Sequence, residues 1–443
     1  MSRADTSHPP NPGEGLGRER LLRRLLRAGW RTLDGALLLA LGWLARCWPR
    51  GKGGRGVVLV TNTMAVGGAQ RQILLWLKHS AATYAPVRLV LLEGHGCWED
   101  EAPKLGVSLE IIGAQVTATG LGRWLMEAMP RCAYVLGLWR CLRRVRPQVV
   151  WSWLFLSRVV AAPAARLAAV PRVVTAVRNL AAWKTWPENR HWWYRAADRN
   201  AAALADQVMV NAAALVPDYA RWARCDPGLI RVVVNGVEDL WPGATPPRVV
   251  SLRPSGKVPL VLAVGRLALE KRQQILLHVS ARLYQRGVRH TLVLVGGGPL
   301  AGQLERQAKE LGLEGVVVFA GECADAREWL LRADVFVLSS AIEGMPNALM
   351  EAQLCGLPAV TTDAGGAGEV VVDGETGFVV PVGDEASFAA ALQRLLEDPE
   401  LRRRMGEAGR RRMLEEFSVE RMVREIDQLF AELGVVGGKA SGG

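Results

Sequence analysis

Residues 334–351 have the sequence DVFVLSSAIEGMPNALME, which places a short apolar run, a turn and the start of a helix in direct succession. The run Val335–Leu338 is predicted to be a buried strand. Pro346 suits the first turn of a helix, because the amide hydrogen that proline lacks would have no intrahelical partner there. With a helix from Ala348 onward, the amides of Asn347–Leu349 point outward and attract an anion.

The same alternation of strand and helix recurs along most of the chain, in two series separated by residues 241–257, which are rich in proline and glycine. Successive βαβ units form parallel sheets, so the sequence predicts an α/β fold with two doubly wound, Rossmann-like domains. Helices are expected between the strands, for example Ala69–His79 and Met126–Arg144. The predicted strands are Val57–Val60, Val87–Leu92, Val149–Trp151, Val173–Val177, Val208–Val210, Pro259–Val264, Thr291–Val295, Val316–Phe319, Val335–Leu338 and Ala359–Thr361.

Two carboxylates, Glu343 and Glu351, flank the turn in this segment. A helix rises about 1.5 Å per residue, so the two acids are expected roughly 10 Å apart. That separation fits a nucleotide sugar whose pyrophosphate lies over the helix end. The alternative is an ordinary helix start with two solvated acids.

Glu343 to Glu351 resembles the E-x7-E motif of retaining nucleotide-sugar glycosyltransferases with the GT-B fold, in particular glycosyltransferase family 4. The segment Gly265–Lys271, with its Gly-Arg-Leu start and Glu-Lys end, resembles a second motif of this family. Two weaker matches are the glycine-rich loop Gly67–Arg71 and the Asn-Gly-Val element within Val234–Glu238.

The resemblance implies a role for each matching residue. Arg266 and Lys271 would bind the donor pyrophosphate, Glu343 the transferred sugar, and Glu351 the ribose hydroxyls. Glu343, Arg266 and Lys271 are therefore the predicted catalytic residues. An arginine suits a phosphate because its planar guanidinium offers two parallel hydrogen bonds. The donor site implied in this way comprises Gly67, Gly68, Gly265, Arg266, Lys271, Gly344, Met345, Pro346, Asn347, Ala348, Leu349 and Glu351.

The acceptor side is less defined by the sequence. Arg71, Arg178 and Asn179 are candidates for acceptor contacts, although Arg71 fits a surface arginine equally well. Many family members carry a histidine near the position of residues 152–154, where this chain has Ser-Trp-Leu. In the mechanism usually proposed for the family, the leaving phosphate takes the acceptor's proton. Catalysis then depends on electrostatic stabilisation of the departing diphosphate rather than on a protein base.

No cofactor is expected apart from the nucleotide diphosphate-sugar as co-substrate. No D-x-D motif lies in a suitable loop, so no required metal is predicted. The seven cysteines are scattered without a C-x-x-C pair, which is typical of reduced, packed thiols and not of a disulfide framework or a zinc site.

The N-terminal segment carries much of the positive charge. Of the net charge of +12, residues 1–56 contribute +7, from eleven basic and four acidic residues. Residues 1–17 are expected to be a flexible lead-in, and a basic amphipathic helix follows from Leu21. Its wholly apolar part, Gly35–Ala45, is too short for a bilayer span, which needs about 20 residues. An interfacial membrane helix is favoured, while a helix packed on the protein, a signal peptide and a nucleic-acid arm are alternatives.

Sixteen tryptophans outnumber tyrosine and phenylalanine together, and several fall in the stretch 183–195, mixed with arginine, lysine and histidine. Such rings suit a membrane interface or a carbohydrate surface. The alternative is a half-buried helix with core tryptophans.

The resemblance covers roughly residues 57–430. Four segments are predicted: 1–54, a lead-in and membrane-surface helix; 55–242, an acceptor domain; 258–414, a donor-binding domain; and 415–434, a helix that crosses back to the first domain. The predicted protein is a cytoplasmic enzyme, peripheral on the inner face of the cell membrane. It moves a sugar from a nucleotide diphosphate-sugar to a glycan or lipid-linked acceptor in cell-surface polysaccharide or glycolipid synthesis. A nucleotide-sugar epimerase of the same fold and a non-catalytic membrane scaffold are the alternatives.

Overall fold

A computed structural model describes residues 12–94, 96–179, 192–239, 258–323 and 326–438. Within these residues the chain forms two α/β domains, each built on a parallel sheet that helices cover. The predicted fold class is confirmed.

The N-terminal domain is built on a seven-stranded parallel sheet with the order β3-β2-β1-β4-β5-β6-β7. Its strands are β1 (Val57–Thr61), β2 (Val87–Leu91), β3 (Ser108–Ile111), β4 (Val149–Trp153), β5 (Arg172–Val177), β6 (Gln207–Val210) and β7 (Ile230–Val232). Its helices are α1 (Pro12–Arg46), α2 (Gly68–Ser80), α3 (Glu101–Lys104), α4 (Ile112–Thr117), α5 (Gly120–Ala128), α6 (Pro130–Val145), α7 (Phe155–Leu167), α8 (Trp192–Leu204) and α9 (Leu215–Ala223). Every residue of β1 and β4 is buried, as expected for central strands covered on both faces.

The C-terminal domain repeats this design with six parallel strands in the order β10-β9-β8-β11-β12-β13. Its strands are β8 (Leu260–Val264), β9 (Thr291–Val295), β10 (Val317–Gly321), β11 (Val335–Leu338), β12 (Ala359–Thr362) and β13 (Gly377–Val380). Its helices are α10 (Gln273–Gln285), α11 (Ala301–Glu310), α12 (Arg327–Arg332), α13 (Asn347–Leu354), α14 (Ala367–Val370), α15 (Glu385–Glu397), α16 (Pro399–Glu416) and α17 (Val419–Glu432).

The strand order reverses between β1 and β4 in the first sheet and between β8 and β11 in the second. In open parallel sheets, ligands bind outside the carboxyl ends of strands at such a reversal. The loops that follow these four strands are therefore where a site is expected.

Three strands were missed by the sequence pattern, and all three lie at a sheet edge: β3, β7 and β13. Strands β3 and β7 are partly exposed and lack the continuous apolar run of a central strand, whereas β13 is apolar and mostly buried but has only four residues, the first a glycine. In β7, for instance, all three residues are only half-buried. The predicted helix Met126–Arg144 is also wrong, because it is two helices: the backbone breaks at Met129 and α6 begins with Pro130, whose missing amide hydrogen stops the preceding helix.

The last helix, α17, packs on the N-terminal domain. Its Phe430 is fully buried against Trp76 and Trp151, with ring centroids 6.2 and 5.6 Å away. The expected start at Glu415 is wrong because α16 continues to Glu416, and α17 begins after Ser418, whose hydroxyl accepts from the amide of Arg421.

Helix α1 begins at Pro12, so it takes up part of the expected lead-in, and it packs against α6, α7 and α8. Leu38 and Ala45 are buried there, and Asp34 forms an ion pair with Arg131 at 3.1 Å. The opposite face leaves Trp30 and other apolar side chains exposed. In the part of the chain that the structure describes, no helix has the length and apolarity needed to cross a membrane.

Candidate active site between the two domains

The loop after β8 is held by its glycine-rich neighbour. Gly265 has φ of +156° and donates to Val295 O, and the amide of Leu267 donates to Gly297 O at 2.7 Å. A Cβ on Gly298 would lie 2.3 Å from Leu267 O, so only glycine allows this approach. The interlocked loops fix the short 3-10 turn that ends at Lys271.

Lys271 and Glu343, predicted from distant motifs, are brought together. Lys271 Nζ lies 2.6 Å from Glu343 Oε1, and Ser340 Oγ donates to the same oxygen at 2.6 Å. Glu343 is only 6% exposed. Lys271, Gly265 and Ser339 also line one pocket, which joins the carboxyl ends of β8 and β11. A buried carboxylate thus holds a lysine ammonium at the predicted donor site.

Arg266 lies on the same loop but is half exposed, and its Nη2 forms an ion pair with Glu270 at 2.7 Å. The structure therefore places this side chain at the rim of the loop, and not on the buried pair. A guanidinium at a rim can still close on an anion by a change of side-chain rotamer.

Helix α13 begins at Asn347, one residue earlier than expected, and Pro346 is not part of its first turn, because it has extended backbone angles and serves as the N-cap. The amide of Leu349 donates to Pro346 O at 3.2 Å, so the prediction that it is available to an anion is wrong. Among the predicted donors, the amides of Asn347 and Ala348 are the ones that remain at this helix end.

The turn before α13 touches the N-terminal domain closely. A Cβ on Gly344 would lie 2.2 Å from Arg178 O, and one on Gly68 would lie 3.0 Å from Asn347 Nδ2. Asn347 Nδ2 donates to Gly68 O at 2.8 Å. Two predicted glycines thus permit close approach between the domains themselves. Gly67 is the N-cap of α2.

Asn235 is the centre of a polar network that joins the domains. Its Nδ2 donates to Met345 O at 3.1 Å and to Asn347 Oδ1 at 2.7 Å, and its Oδ1 accepts from Arg178 Nη1 at 3.1 Å. Gln72 supports it from α2 by pairing with both backbone groups of Gly236 at 2.9 Å.

Glu351 and Arg71, assigned by the sequence to the ribose and to the acceptor, pair with each other across the cleft. Arg71 Nη1 lies 2.9 Å from Glu351 Oε1, and both side chains keep partial exposure. A ligand that uses Glu351 must therefore compete with Arg71.

Arg178 follows β5 and stacks on Trp153, with its guanidinium carbon 3.6 Å from the ring centroid. Burial lowers the pKa of Arg178 to about 9, so it stays charged at neutral pH. Asn179 beside it is exposed. Trp153 lies in the segment where the family histidine was sought, and the next residue, Leu154, has a positive φ of 70°. That conformation is costly for leucine and marks a constrained edge of the cleft.

Comparison with known proteins agrees with this geometry. Residues 66–239 match the family described as "Glycosyltransferase Family 4", and residues 249–412 match "Glycosyl transferases group 1". The alpha-maltose-1-phosphate synthase of Mycolicibacterium smegmatis is 30% identical over 295 residues, which are 61% of this chain and 75% of that protein. The chain belongs to glycosyltransferase family 4.

Other relatives match a shorter part. The lipopolysaccharide core biosynthesis glycosyltransferase LpsE of Rhizobium meliloti is 36% identical over 173 residues, covering 39% of this chain and 50% of LpsE. The chain spans about half the length of the first curated relatives that it matches. Among solved structures, Anabaena Alr3699/HepE with UDP and glucose has a TM-score of 0.72 at 22% identity, covering 85% of this chain and 99% of that one. This likeness shows the GT-B fold.

Several residues of this family 4 site were not singled out from the sequence. Ser340, Gln72 and Asn211 are ordinary polar residues in sequence, and only the folded arrangement gives them partners in the cleft. Glu369 is similar: its carboxylate crosses from the C-terminal domain to accept from the amides of Ala213 and Ala214, at 2.9 and 2.8 Å. The one available signal was the Asn-Gly-Val element, which contains Asn235.

Only the last part of the tryptophan-rich stretch 183–195 belongs to the residues that the structure describes. Residues 183–191 lie outside them. Trp193 is buried and packs on Phe155, while Arg131 stacks on its ring at 3.8 Å, so at this position the alternative of a core tryptophan is correct. Across the described ranges, no group of three or more His, Cys, Asp or Glu side chains is placed to hold a metal ion.

Proposed function

We propose that this glycosyltransferase moves a sugar from a nucleotide diphosphate-sugar to a glycan or lipid-linked acceptor, with retention of the anomeric configuration. The observation that carries the proposal is the Lys271–Glu343 pair at the carboxyl ends of β8 and β11. It puts a cation beside the loop that leads to the amides of α13, where a departing diphosphate needs positive charge.

Each residue then has a chemical task. Lys271 and Arg266 neutralise the diphosphate, and the amides of Asn347 and Ala348 add the positive end of the helix. Glu343 holds Lys271 in position and accepts from a sugar hydroxyl. The leaving phosphate takes the acceptor's proton, so no protein base is assigned. No metal is required in this proposal, and EDTA treatment is expected to leave transfer unchanged.

On the acceptor side we assign Arg71, Arg178 and Asn179. The name of the LpsE relative motivates cell-surface polysaccharide or glycolipid synthesis as the setting. The nucleotide and the sugar are left to experiment, because pocket shape and not these motifs selects them.

The test compares Lys271→Met with the unchanged protein. Thermal unfolding with UDP, GDP and other nucleoside diphosphates identifies the base, since a ligand bound by the folded state raises the Tm. Lys271→Met is expected to lose that shift and to abolish transfer from the matching nucleotide sugar. Persistence of transfer near the normal rate would refute the donor site. Conversion of the donor without an acceptor would favour an epimerase, and failure of every nucleotide to bind would favour a scaffold.

We also propose peripheral attachment to the inner face of the cell membrane through one surface, the α1–α5 face, formed by Trp30, Leu33, Leu37, Leu121 and Trp124. All five are exposed, and Trp30 and Trp124 contact edge to face with centroids 5.8 Å apart. Arg31 and Arg123 lie exposed beside them in the chain. Apolar rings bordered by cations suit an anionic lipid surface.

Point substitutions test this better than removal of α1, which would uncover apolar residues of α6, α7 and α8. Leu37→Ser combined with Leu121→Ser and Trp124→Ser is expected to abolish flotation with vesicles containing anionic lipid, without a change in Tm. The control is Leu414→Ser, an exposed leucine on α16. Equal flotation of both variants would exclude the α1–α5 face.

A further inference from the structure

Two buried arginines of the N-terminal domain pair with carboxylates, whereas the half-buried Arg178 does not. Arg158 pairs with Asp198 at 2.8 Å and Arg166 pairs with Asp206 at 2.7 Å, and all four side chains are buried. No carboxylate of the described residues lies within 4 Å of Arg178. Its neighbours are the Oδ1 of Asn235 and the ring of Trp153.

The side chain also makes few hydrogen bonds to the described residues. Nη1 donates to Asn235, whereas Nε is closed off from solvent and has no partner in the described structure. Burial is the sole cause of the lowered pKa of Arg178, as expected where no anion offsets the lost hydration. A partly desolvated cation without an anion is destabilising, and a bound anion reduces that cost.

The position of Arg178 indicates where such an anion would come from. The residue directly follows β5, beside Trp153 at the end of β4 and Asn211 after β6, so it lies at the carboxyl edge of the N-terminal sheet. Its backbone carbonyl touches Gly344, the residue after Glu343. Arg178 therefore lies beside the turn that carries Glu343, on the N-terminal side of the cleft, whereas Lys271 and Arg266 belong to the C-terminal domain.

We propose that Arg178 binds a phosphate or diphosphate group carried by the acceptor. This inference rests on the proposed function, since it names the acceptor's chemical class. Because Nε is closed off from solvent, a phosphate would approach the Nη1–Nη2 end of the guanidinium, where the two terminal nitrogens offer two N–H groups to two phosphate oxygens. Stacking on Trp153 and the bond to Asn235 hold the guanidinium plane, so little side-chain entropy is lost on binding.

The experiment titrates inorganic pyrophosphate into the full-length protein saturated with its nucleoside diphosphate, by calorimetry. Arg178→Gln is expected to weaken pyrophosphate binding by about tenfold or more, the usual effect of losing charge-assisted hydrogen bonds. Nucleotide affinity should stay the same in Arg178→Gln and fall in Lys271→Met. The matched control is Arg289→Gln, an exposed arginine that also stacks on a ring, that of Tyr284 at 4.0 Å.

Several results would overturn the proposal: unchanged pyrophosphate affinity in Arg178→Gln, no pyrophosphate binding by the unchanged protein, or a loss of nucleotide affinity equal to that of Lys271→Met. The last would assign Arg178 to the donor. If Arg178 has only a structural role, Arg178→Gln will have a lower Tm but will still bind pyrophosphate. If Arg178→Gln folds poorly, Arg178→Lys, which keeps the charge, replaces it in the pyrophosphate titration. If no nucleotide binds at all, the proposed function fails. Pyrophosphate titration of Lys271→Met, which lacks the lysine of the donor site, then still tests whether Arg178 binds an anion.

Discussion

At the scale of single residues, the Arg71–Glu351 ion pair means that Arg71 and a bound donor compete for the Glu351 carboxylate. Glu351 is assigned to the ribose, yet here it holds an arginine from the other domain at 2.9 Å. The two side chains are 41% and 21% exposed, so the pair is worth at most about 1 kcal/mol. A donor can displace Arg71 at small cost, and Arg71 is then released toward the acceptor side.

Arg71→Gln is therefore expected to tighten binding of the nucleoside diphosphate, by no more than about fivefold, because about 1 kcal/mol corresponds to that factor. Glu351→Gln should act in the opposite direction and weaken binding by about tenfold or more, through loss of charge-assisted bonds to the ribose. Calorimetry on both variants measures whether the affinity for the nucleoside diphosphate rises or falls. Lys78→Gln, further along α2 and paired with Glu238, is the control. Weaker nucleotide binding in Arg71→Gln would mean that Arg71 itself contacts the donor.

Residues that act within one domain were the ones that the sequence predicted well. Lys271 and Glu343 lie on loops that follow adjacent strands of one sheet, so the strand order alone brings them together. The network of Asn235 and Asn347 and the stacking of Arg178 on Trp153 depend on how two domains or two loops approach each other. Local pattern carries no signal for such an approach, and neutral amides such as these resemble any turn residue.

At the scale of elements, α1 is an integral part of the N-terminal domain. Asp34 is fully buried, and besides its ion pair with Arg131 it accepts from the amides of Arg131 and Cys132, at 3.2 and 3.0 Å. These amides lie in the first turn of α6, where intrahelical acceptors are absent. A carboxylate from α1 thus caps α6. Burial and this carboxylate also raise the pKa of the Cys132 thiol to about 12, which keeps it protonated.

Asp34→Ala is expected to destabilise the N-terminal domain by about 3 kcal/mol, because it removes the cap and leaves Arg131 without its anion. Urea unfolding followed by tryptophan fluorescence measures the change. The stability of Asp34→Asn should lie between those of the unchanged protein and Asp34→Ala, since an amide oxygen can still accept from one backbone N–H. Glu127→Ala, an exposed acid on α5, is the control. A loss of less than about 1 kcal/mol in Asp34→Ala would show that α1 is held by its apolar contacts alone.

At the scale of the whole molecule, the two domains meet through polar contacts in the cleft, through α17, and through an apolar cluster that contains Ala212 of the N-terminal domain and Met345 of the C-terminal domain. Glu369 accepts from the amides before α9, Asn347 bonds to Gly68, and Gly344 lies against Arg178. Helix α17 adds a second apolar attachment, since it contributes Met422, Ile426 and Phe430 to the N-terminal core. An opening that admits a donor would therefore break the polar contacts and part this apolar cluster, while α17 keeps the domains joined.

Gly344→Ala tests this arrangement, because a Cβ there would lie 2.2 Å from Arg178 O and 2.9 Å from Asn211 Oδ1, both in the other domain. Backbone on one side cannot yield as a flexible side chain could, so the domains must separate. We expect a larger radius of gyration by small-angle X-ray scattering and transfer reduced at least about tenfold, since misplacement by about 1 Å is costly in a positioned site. Nucleotide binding, which uses the C-terminal domain, should persist. Gly302→Ala is the control: it lies on the exposed face of α11, where a Cβ would meet only the end of the Arg306 side chain at 3.8 Å. It should leave the radius and transfer unchanged and raise stability by up to about 1 kcal/mol. If Gly344→Ala keeps both the normal radius and normal transfer, the close approach of Gly344 to Arg178 is not part of the active arrangement, and the acceptor assignment of Arg178 loses its geometric basis.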